Sequence, residues 1–423
     1  MNKNKKTTNN AVALAMVFCI FFLWAISNNL LSPVVNKMMN LFQIDQAKAE
    51  FVETSYWFAY FLFPIPIAMF MKRFSYKAGI IVGLLIAAVG ALLFIPVTGI
   101  PATDLPSKVS TIFPLYLSAY FVLAIGMCFL ETAANPYVTE LGDPESAPRR
   151  LNLAQAFNGL GAFVAAMFLS KLILISGGSS ESAVSEVVEK SEMHNFKITY
   201  VIFALVLILI AIVFFISKLP RIQEEESDTN GKSGKLLSFK VLKRSHLRNG
   251  VIAQFFYNGG QTAVNSLFIV YCLKYVGLTS EKATTLFGLY MLSFLLGRWI
   301  GAMLMGKFKP KDMLAIYGVA CVVLCLVISF VGGMKAVYAM MGVSFFMSIM
   351  YPTQFSLALV DLKGETKSGS AFLVMAIVGN SVLPLSTAFV QKSIAFPSLS
   401  YLIPMVCFAV CAWYGFKGHK VID

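Results

Sequence analysis

Long apolar runs separated by short polar segments dominate the pattern along this chain. Runs of about twenty apolar residues, the length of a helix that crosses a bilayer, lie near residues 11–35, 50–71, 78–98, 112–140, 151–176 and 197–217. A second set lies near residues 249–276, 283–305, 312–333, 336–360, 368–391 and 398–416. The pattern therefore predicts an all-α integral membrane protein with twelve transmembrane helices.

A polar segment divides the twelve predicted helices into two sets of six. Residues 218–248 are rich in charged residues, Ser, Asn and Gly, a composition that cannot build a core and indicates a linker. The sequence Ala68–Lys77 aligns with Ala302–Lys311 at an offset of 234 residues, and Phe21-Phe22 matches Phe255-Phe256 at the same offset. Two matches at one offset indicate a duplicated six-helix unit. We therefore predict two six-helix bundles, residues 1–217 and 249–423, joined by a cytoplasmic loop. In transporters built from such parallel repeats, the substrate binds between the halves near the bilayer midplane.

Composition and charge favour a membrane location over a nucleic-acid partner. Apolar residues make up 58% of the chain and charged residues only 13%, against about 25% charged in soluble domains. The net charge is +13, but with both termini in the cytoplasm 23 of the 34 Lys and Arg residues fall in inside segments and 10 in outside segments. This bias orients membrane proteins. We predict a monomeric, multi-pass protein of the cytoplasmic (inner) membrane, in contact with lipid and without a nucleic-acid partner.

Cysteine and histidine positions indicate neither a metal site nor a cofactor. All seven cysteines fall within apolar runs and all three histidines fall in loops, without a Cys-x-x-Cys pair. No Ser/His/Asp, paired-carboxylate or metal-ligand arrangement is visible, so we do not predict an enzyme. The short loops leave no room for a signalling domain, which disfavours a sensor that does not transport.

Polar side chains inside the predicted helices are the candidate functional residues. Glu131 lies within the fourth predicted helix, and a carboxylate in lipid costs about 3 kcal/mol or more, so it normally faces a partner or a water-filled cavity. Asn135 lies one turn further on the same helical face. Further polar positions fall in the first, fifth, seventh, tenth and eleventh predicted helices: Asn28, Asn29, Ser32, Asn152, Gln155, Asn158, Gln254, Tyr257, Asn258, Gln261, Asn265, Tyr351, Gln354 and Asn380.

These side chains predict a hydrated cavity between the halves for a ligand with many hydroxyl groups. Each amide both donates and accepts hydrogen bonds, and four aromatic rings are candidates to stack on a sugar ring: Trp24, Trp57, Phe256 and Tyr257. The alternative is that the amides only bond between helices, each contributing about 0.6–2 kcal/mol. Arg298, near the inner end of the eighth predicted helix, is assigned a structural role.

Two motifs resemble the fucose/glucose/galactose–proton symporter family of the major facilitator superfamily. They are LETAANPYVT at Leu130–Thr139 and RLNLAQAFN at Arg150–Asn158, and shorter matches extend the resemblance over nearly the whole chain. The resemblance implies the major facilitator fold, alternating access, and import of a hexose-like monosaccharide with protons through intramembrane carboxylates. By position, Glu131 is the family's helix 4 carboxylate, and three residues match its polar site: Asn29, Gln155 and Asn158.

One position departs from the family pattern and leaves the coupling open. The family's first helix commonly carries an aspartate where this chain has Ser32, and serine does not titrate in the working range. Glu131 would then act alone, or Glu53, on the same helical face as Trp57, would substitute; Glu53 is also explained as an outer-surface residue beside Glu50. We predict a secondary active importer of a monosaccharide by proton symport. The alternative is an uncoupled or other-ion-coupled transporter of a modified or acidic sugar.

Overall fold

The computed structural model describes residues 2–29, 55–98, 109–165, 186–220, 239–393 and 397–421. Within these ranges the chain consists of α-helices joined by turns and short 3-10 segments, without β-strands. Three residues with predicted roles cannot be placed: Ser32 and Glu53 lie outside these ranges, and the side chain of Asn29 is not described.

The helices follow the order of the predicted spans. In the first half they are α1 (Asn2–Asn29), α2 (55–62 and Pro64–Arg73), α3 (Tyr76–Leu92), α4 (Val109–Glu140), α5 (Ala147–Val164) and α6 (Glu186–Ile216). In the second half they are α7 (Ser245–Lys274), α8 (Ser280–Leu304), α9 (Pro310–Val331), α10 (Gly333–Met347 and Met350–Ala358), α11 (Thr366–Met375 and Gly379–Ser393) and α12 (Leu402–Trp413).

Seven helices in the described ranges are long and apolar enough to cross a membrane. They lie in α4, α6, α8, α9, α10, α11 and α12, and two shorter apolar helices lie in α1 and α3. The 30-residue α7 falls outside this set because amide and hydroxyl side chains interrupt its apolar sequence. The all-α membrane architecture is confirmed, and the count of twelve spans remains a prediction for the helices outside the set.

Arg150 fixes the turn between α4 and α5. Its guanidinium donates to the main-chain oxygens of Val138 at 3.3 Å, Thr139 at 2.8 Å and Asp143 at 2.7 Å. The first two oxygens belong to the last turn of α4, where carbonyls lack helical partners and a nearby cation is favourable. The bonds therefore hold α4 and α5, the helices with the two recognised motifs, in a fixed relation.

Glycines bring neighbouring helices into close contact. A Cβ atom on Gly126 of α4 would lie 2.3 Å from the main-chain nitrogen of Ala87 in α3. Gly161 of α5 meets the backbone of α1 at 2.3 Å, and Gly379 of α11 meets the backbone of α7 at 2.2 Å by the same measure. Because lipid is as apolar as the side chains, helices in membranes associate largely through such close packing. The last two contacts join equivalent helix pairs in the two halves.

We expect the substitution Gly126→Ala to destabilise the first half. The added methyl group must push α4 away from the backbone of α3, and such overpacking typically costs about 1–3 kcal/mol. Gly159→Ala is the matched control, because its nearest contact is the flexible end of Leu295 at 3.1 Å. Thermal unfolding of the detergent-purified variants should give a lower midpoint for Gly126→Ala; equal midpoints would contradict the packing described here.

The two halves meet toward the end where α2 joins α3 and α8 joins α9. There α5 packs on α8 and α10, while α2 and α4 pack on α11. Asn152 donates to the Thr353 hydroxyl at 3.0 Å, Ser370 donates to a main-chain oxygen of α4 at 3.1 Å, and the Lys367 ammonium lies 4.9 Å from the centre of the Tyr76 ring. These contacts close that end, and a cavity lies between the halves beyond them.

Candidate functional site

The cavity between the halves is lined mainly by amide, hydroxyl and aromatic side chains. Its volume is about 150 Å³, far more than the roughly 10–15 Å³ that one water needs. Its lining residues are Trp24, Asn28, Trp57, Glu131, Gln155, Asn158, Ala162, Asn258, Gln261, Thr262, Asn265, Tyr290, Met291, Phe294, Arg298, Tyr351, Ile377 and Asn380. The cavity thus combines side chains from both halves.

Glu131 links the two halves at the cavity wall. Its side chain is 4% exposed, and its Oε1 accepts a hydrogen bond from the Tyr351 hydroxyl at 2.6 Å and from Asn135 Nδ2 at 3.3 Å. Tyr351 belongs to α10 of the other half. The second carboxylate oxygen, Oε2, is buried and has no hydrogen-bond partner among the described residues. Because buried acceptors are normally satisfied by a partner or by water, this oxygen is available to a ligand or a proton.

Asn135 and Gln155 extend this network from α4 to α5. Gln155 Nε2 donates to Asn135 Oδ1 at 3.0 Å, so the two amides and the Glu131 carboxylate form a continuous chain of hydrogen bonds. Asn135 is fully buried behind the wall, while Gln155 and Asn158 line the cavity. The Nδ2 atom of Asn158 is buried and makes no hydrogen bond within the part of the chain that the structure describes. The predicted site residues of α4 and α5 therefore do come together.

Arg298 lies on the wall of the cavity as well as between the helices. Its guanidinium donates to the main-chain oxygens of Gln155 at 2.9 Å and Ser348 at 2.8 Å, and stacks 4.5 Å from the centre of the Phe294 ring. Arg298 therefore joins helices, in line with the structural role predicted from the sequence, and it also borders the cavity, which the sequence did not predict. Among the described lining residues, Arg298 and Glu131 carry the only formal charges.

Tryptophan side chains line the first-half wall. Trp24 and Trp57 both border the cavity, and the Trp24 indole nitrogen donates to the Tyr60 hydroxyl at 2.7 Å, which fixes the orientation of its ring. An indole held in this way presents a rigid apolar face with little loss of conformational entropy on binding. The sequence prediction that these two rings face the site agrees with their positions.

Gln254 and Tyr257 do not line the cavity. Both are fully buried, and Gln254 Nε2 donates to the main-chain oxygen of Tyr351 at 2.9 Å. The Tyr257 ring packs against the Tyr351 ring at a centroid distance of 6.2 Å. Phe256, another candidate for stacking, is also absent from the wall and packs edge-on against Phe255. Gln254 and Tyr257 lie nearer the N-terminal end of α7 than the residues that border the cavity. They therefore contact Tyr351 and not the cavity itself.

Six other predicted residues reach the wall: Asn28, Asn258, Gln261, Asn265, Tyr351 and Asn380. Asn152 and Gln354 are fully buried and do not border the cavity. The predicted roles of Asn29, Ser32 and Glu53 concern side chains outside the described part of the chain and remain predictions.

Helix α8 is the part of the wall that the sequence reasoning missed. Tyr290, Phe294 and Arg298 are spaced four residues apart and all border the cavity. The available signal was Arg298 itself, because a charge within an apolar run is as costly as Glu131 and marks an inward-facing side. Phe294 and Tyr290 lie one and two helical turns before Arg298, so they share its inward-facing side.

Comparisons with known proteins identify the family. Residues 17–387 match the Major Facilitator Superfamily. The L-fucose-proton symporter of Escherichia coli is 35% identical over 409 residues, which cover 94% of this chain and 91% of that protein. The glucose/galactose transporter of Brucella abortus is 34% identical over 415 residues, which cover 97% of this chain and 95% of that protein.

A solved structure agrees with the whole architecture. The crystal structure of a Major Facilitator Superfamily transporter, FucP, in the outward conformation has a TM-score of 0.86 and 34% sequence identity to this protein, and the match covers 98% of this chain and 100% of that chain. The chain belongs to the Major Facilitator Superfamily, in the group that contains L-fucose–proton symporters and glucose/galactose transporters.

Proposed function

We propose that this protein imports a hexose-like monosaccharide across the cytoplasmic membrane together with protons. The observation that carries the proposal is Glu131, a buried carboxylate with one oxygen unpartnered among the described residues, in a cavity lined mainly by amides, hydroxyls and aromatic rings. Two relatives, an L-fucose-proton symporter and a glucose/galactose transporter, support this substrate class.

The side chains around the cavity suit a sugar. Amides such as Gln155, Asn158 and Gln261 offer both donors and acceptors to ring hydroxyls. The rings of Trp24 and Trp57 offer apolar surfaces for the C–H face of a pyranose. Arg298 is the one cation among the described lining residues and is balanced by Glu131 within the same cavity, which favours an uncharged ligand over a phosphorylated one.

Glu131 is the group we assign to proton coupling. When it is ionised, its bond from Tyr351 is charge-assisted and ties α4 to α10 across the halves. Protonation leaves a neutral carboxyl group, which is a weaker acceptor, so the tie loosens and the halves are free to rock. Glu53 stays a second candidate for coupling.

Alternating access follows from two bundles that move about the site. We assign residues 1–217 and 249–423 to the bundles, with 218–248 as a cytoplasmic linker and both termini in the cytoplasm. The excess of Lys and Arg in these segments supports that orientation. The contacts of Asn152, Lys367 and Ser370 then close the cytoplasmic end, and we take a lipid-embedded monomer as the working unit.

Transport by the purified protein in liposomes tests the proposal. We expect uptake of labelled L-fucose, D-glucose or D-galactose above the external concentration when the outside is made acidic, and collapse of this accumulation on adding a protonophore. Liposomes without protein are the control. Uptake that equilibrates without responding to the proton gradient would contradict proton symport, and the absence of uptake of every hexose would contradict sugar transport.

A further inference from the structure

Two hydroxyl groups fix the orientation of two amides on the second-half wall of the cavity. The Tyr290 hydroxyl of α8 donates to Asn265 Oδ1 of α7. Thr262 Oγ1 of α7 donates to Asn380 Oδ1 of α11 at 2.7 Å. All four side chains border the cavity, and Tyr290 is fully buried. Neither Tyr290 nor Thr262 was among the binding residues predicted from the sequence.

A carboxamide has one end that accepts and one end that donates. An amide side chain without fixed partners can turn over and offer either end to a ligand. A hydroxyl can donate or accept, but in both pairs here it is the amide oxygen that faces the hydroxyl and accepts its proton, so the bond holds the amide in that one orientation. The NH₂ group of that amide is then left for the ligand.

Other groups in the cavity present the opposite polarity. Asn258 Nδ2 donates to the main-chain oxygen of Gln254 at 2.6 Å, so Asn258 keeps its amide oxygen for a ligand. On the facing wall, Glu131 accepts only, as long as it is ionised. The cavity therefore contains acceptors at Asn258 and Glu131 and, by the bonds above, donors at Asn265 and Asn380.

We propose that Tyr290 and Thr262 are positioning residues that set sugar selectivity, by holding the NH₂ groups of Asn265 and Asn380 toward the ligand. The sugar hydroxyls that face these two amides are then recognised as hydrogen-bond acceptors, while those that face Asn258 and Glu131 are recognised as donors. This inference rests on the proposed function, because it takes a sugar as the ligand.

Deoxyfluoro and deoxy analogues of the transported hexose distinguish the two kinds of recognition. Fluorine retains a weak acceptor but has no proton to donate, whereas hydrogen has neither property. At ring positions facing Asn265 and Asn380, we expect the fluoro analogue to compete with labelled sugar about fivefold better than the deoxy analogue, a typical size for one hydrogen bond. At positions facing Asn258, whose free amide oxygen only accepts, both analogues should lose affinity equally, which provides an internal control.

Two variants test whether the preference for the fluoro analogue depends on Tyr290 and Thr262. Tyr290→Phe releases Asn265, so the preference for fluorine should fall to about one at a single ring position and persist at the other. Thr262→Val releases Asn380 and should give the reverse pattern. Tyr401→Phe is the matched control, because it removes a buried hydroxyl of the same half whose partner is the Met340 sulfur at 3.9 Å, away from the cavity. It should leave both preferences unchanged.

The outcomes separate this inference from the proposed function. A wild-type protein that takes up no hexose contradicts the proposed function. A wild-type protein that takes up hexose without any fluorine preference, or one whose preferences survive both Tyr290→Phe and Thr262→Val, contradicts the positioning role alone. The two variants act on separate amides, so either one that folds gives a decisive result.

Discussion

Replacing Glu131 with Gln will abolish accumulation of sugar while leaving exchange of sugar across the membrane. Glutamine has nearly the same shape and keeps an oxygen that accepts from Tyr351, but it cannot gain or lose a proton. The carrier should then bind sugar and reorient, as measured by counterflow of labelled against unlabelled sugar. With a proton gradient imposed, the ratio of internal to external sugar should stay at about one, because no proton moves with it.

The control for this result is a carboxylate outside the cavity. Glu281 lies exposed in the first turn of α8, so Glu281→Gln should accumulate sugar like the wild-type protein. If Glu131→Gln still concentrates sugar in response to the proton gradient, Glu131 is not the coupling group, and Glu53 becomes the candidate to test. Loss of both accumulation and counterflow would instead assign Glu131 an essential part in sugar binding.

Replacing Arg298 with Lys will reduce transport by about tenfold or more, a loss equivalent to at least about 1.4 kcal/mol. The guanidinium makes two separate bonds at once, to Gln155 of one half and Ser348 of the other, while stacking on Phe294. Lysine keeps the positive charge but has neither the planar fork nor the stacking surface, so it cannot reproduce these three contacts. Charge alone therefore does not rescue the function.

A second cross-half bond provides the comparison for Arg298. Thr353→Val removes the bond from Asn152 at 3.0 Å, which also joins the halves but does not border the cavity. We expect this variant to transport within about twofold of the wild type, since one neutral hydrogen bond contributes about 1 kcal/mol or less. Thermal unfolding confirms that each variant is folded. Equal transport by Arg298→Lys and the wild type would show that the planar guanidinium of Arg298 has no role in transport.

The sequence was a good guide to the helices because of the lipid environment. In a bilayer every backbone polar group must bond within the chain, so a long apolar run has few alternatives to a helix. The helices of α8 to α12 accordingly lie close to the predicted runs. The breaks within α2, α10 and α11 were not predicted, because a short 3-10 segment or a bend leaves the apolar pattern intact.

The lining of the cavity could be predicted only in part, and the differences have a common origin. Helical periodicity placed Gln254, Tyr257, Gln261 and Asn265 on the same side of α7, and the structure agrees that this side faces inward. Only the latter two reach the cavity, because the level of a residue along the helix axis depends on how the neighbouring helices pack. The sequence predicted only a structural role for Arg298, because the residues around it in the chain do not show that a partner such as Gln155 lies in the other half.

The sequence by itself determined the membrane architecture and the inward-facing polar sides of the helices, and it singled out Glu131 as a candidate, because hydropathy and helical period are local properties of the chain. The tertiary structure decided which of those polar groups meet. The bond between Tyr351 and Glu131 joins residues 220 positions apart, and the orientations of Asn265 and Asn380 depend on hydroxyls from neighbouring helices. Such pairings arise from the packing of two bundles against each other, and no local pattern encodes that packing.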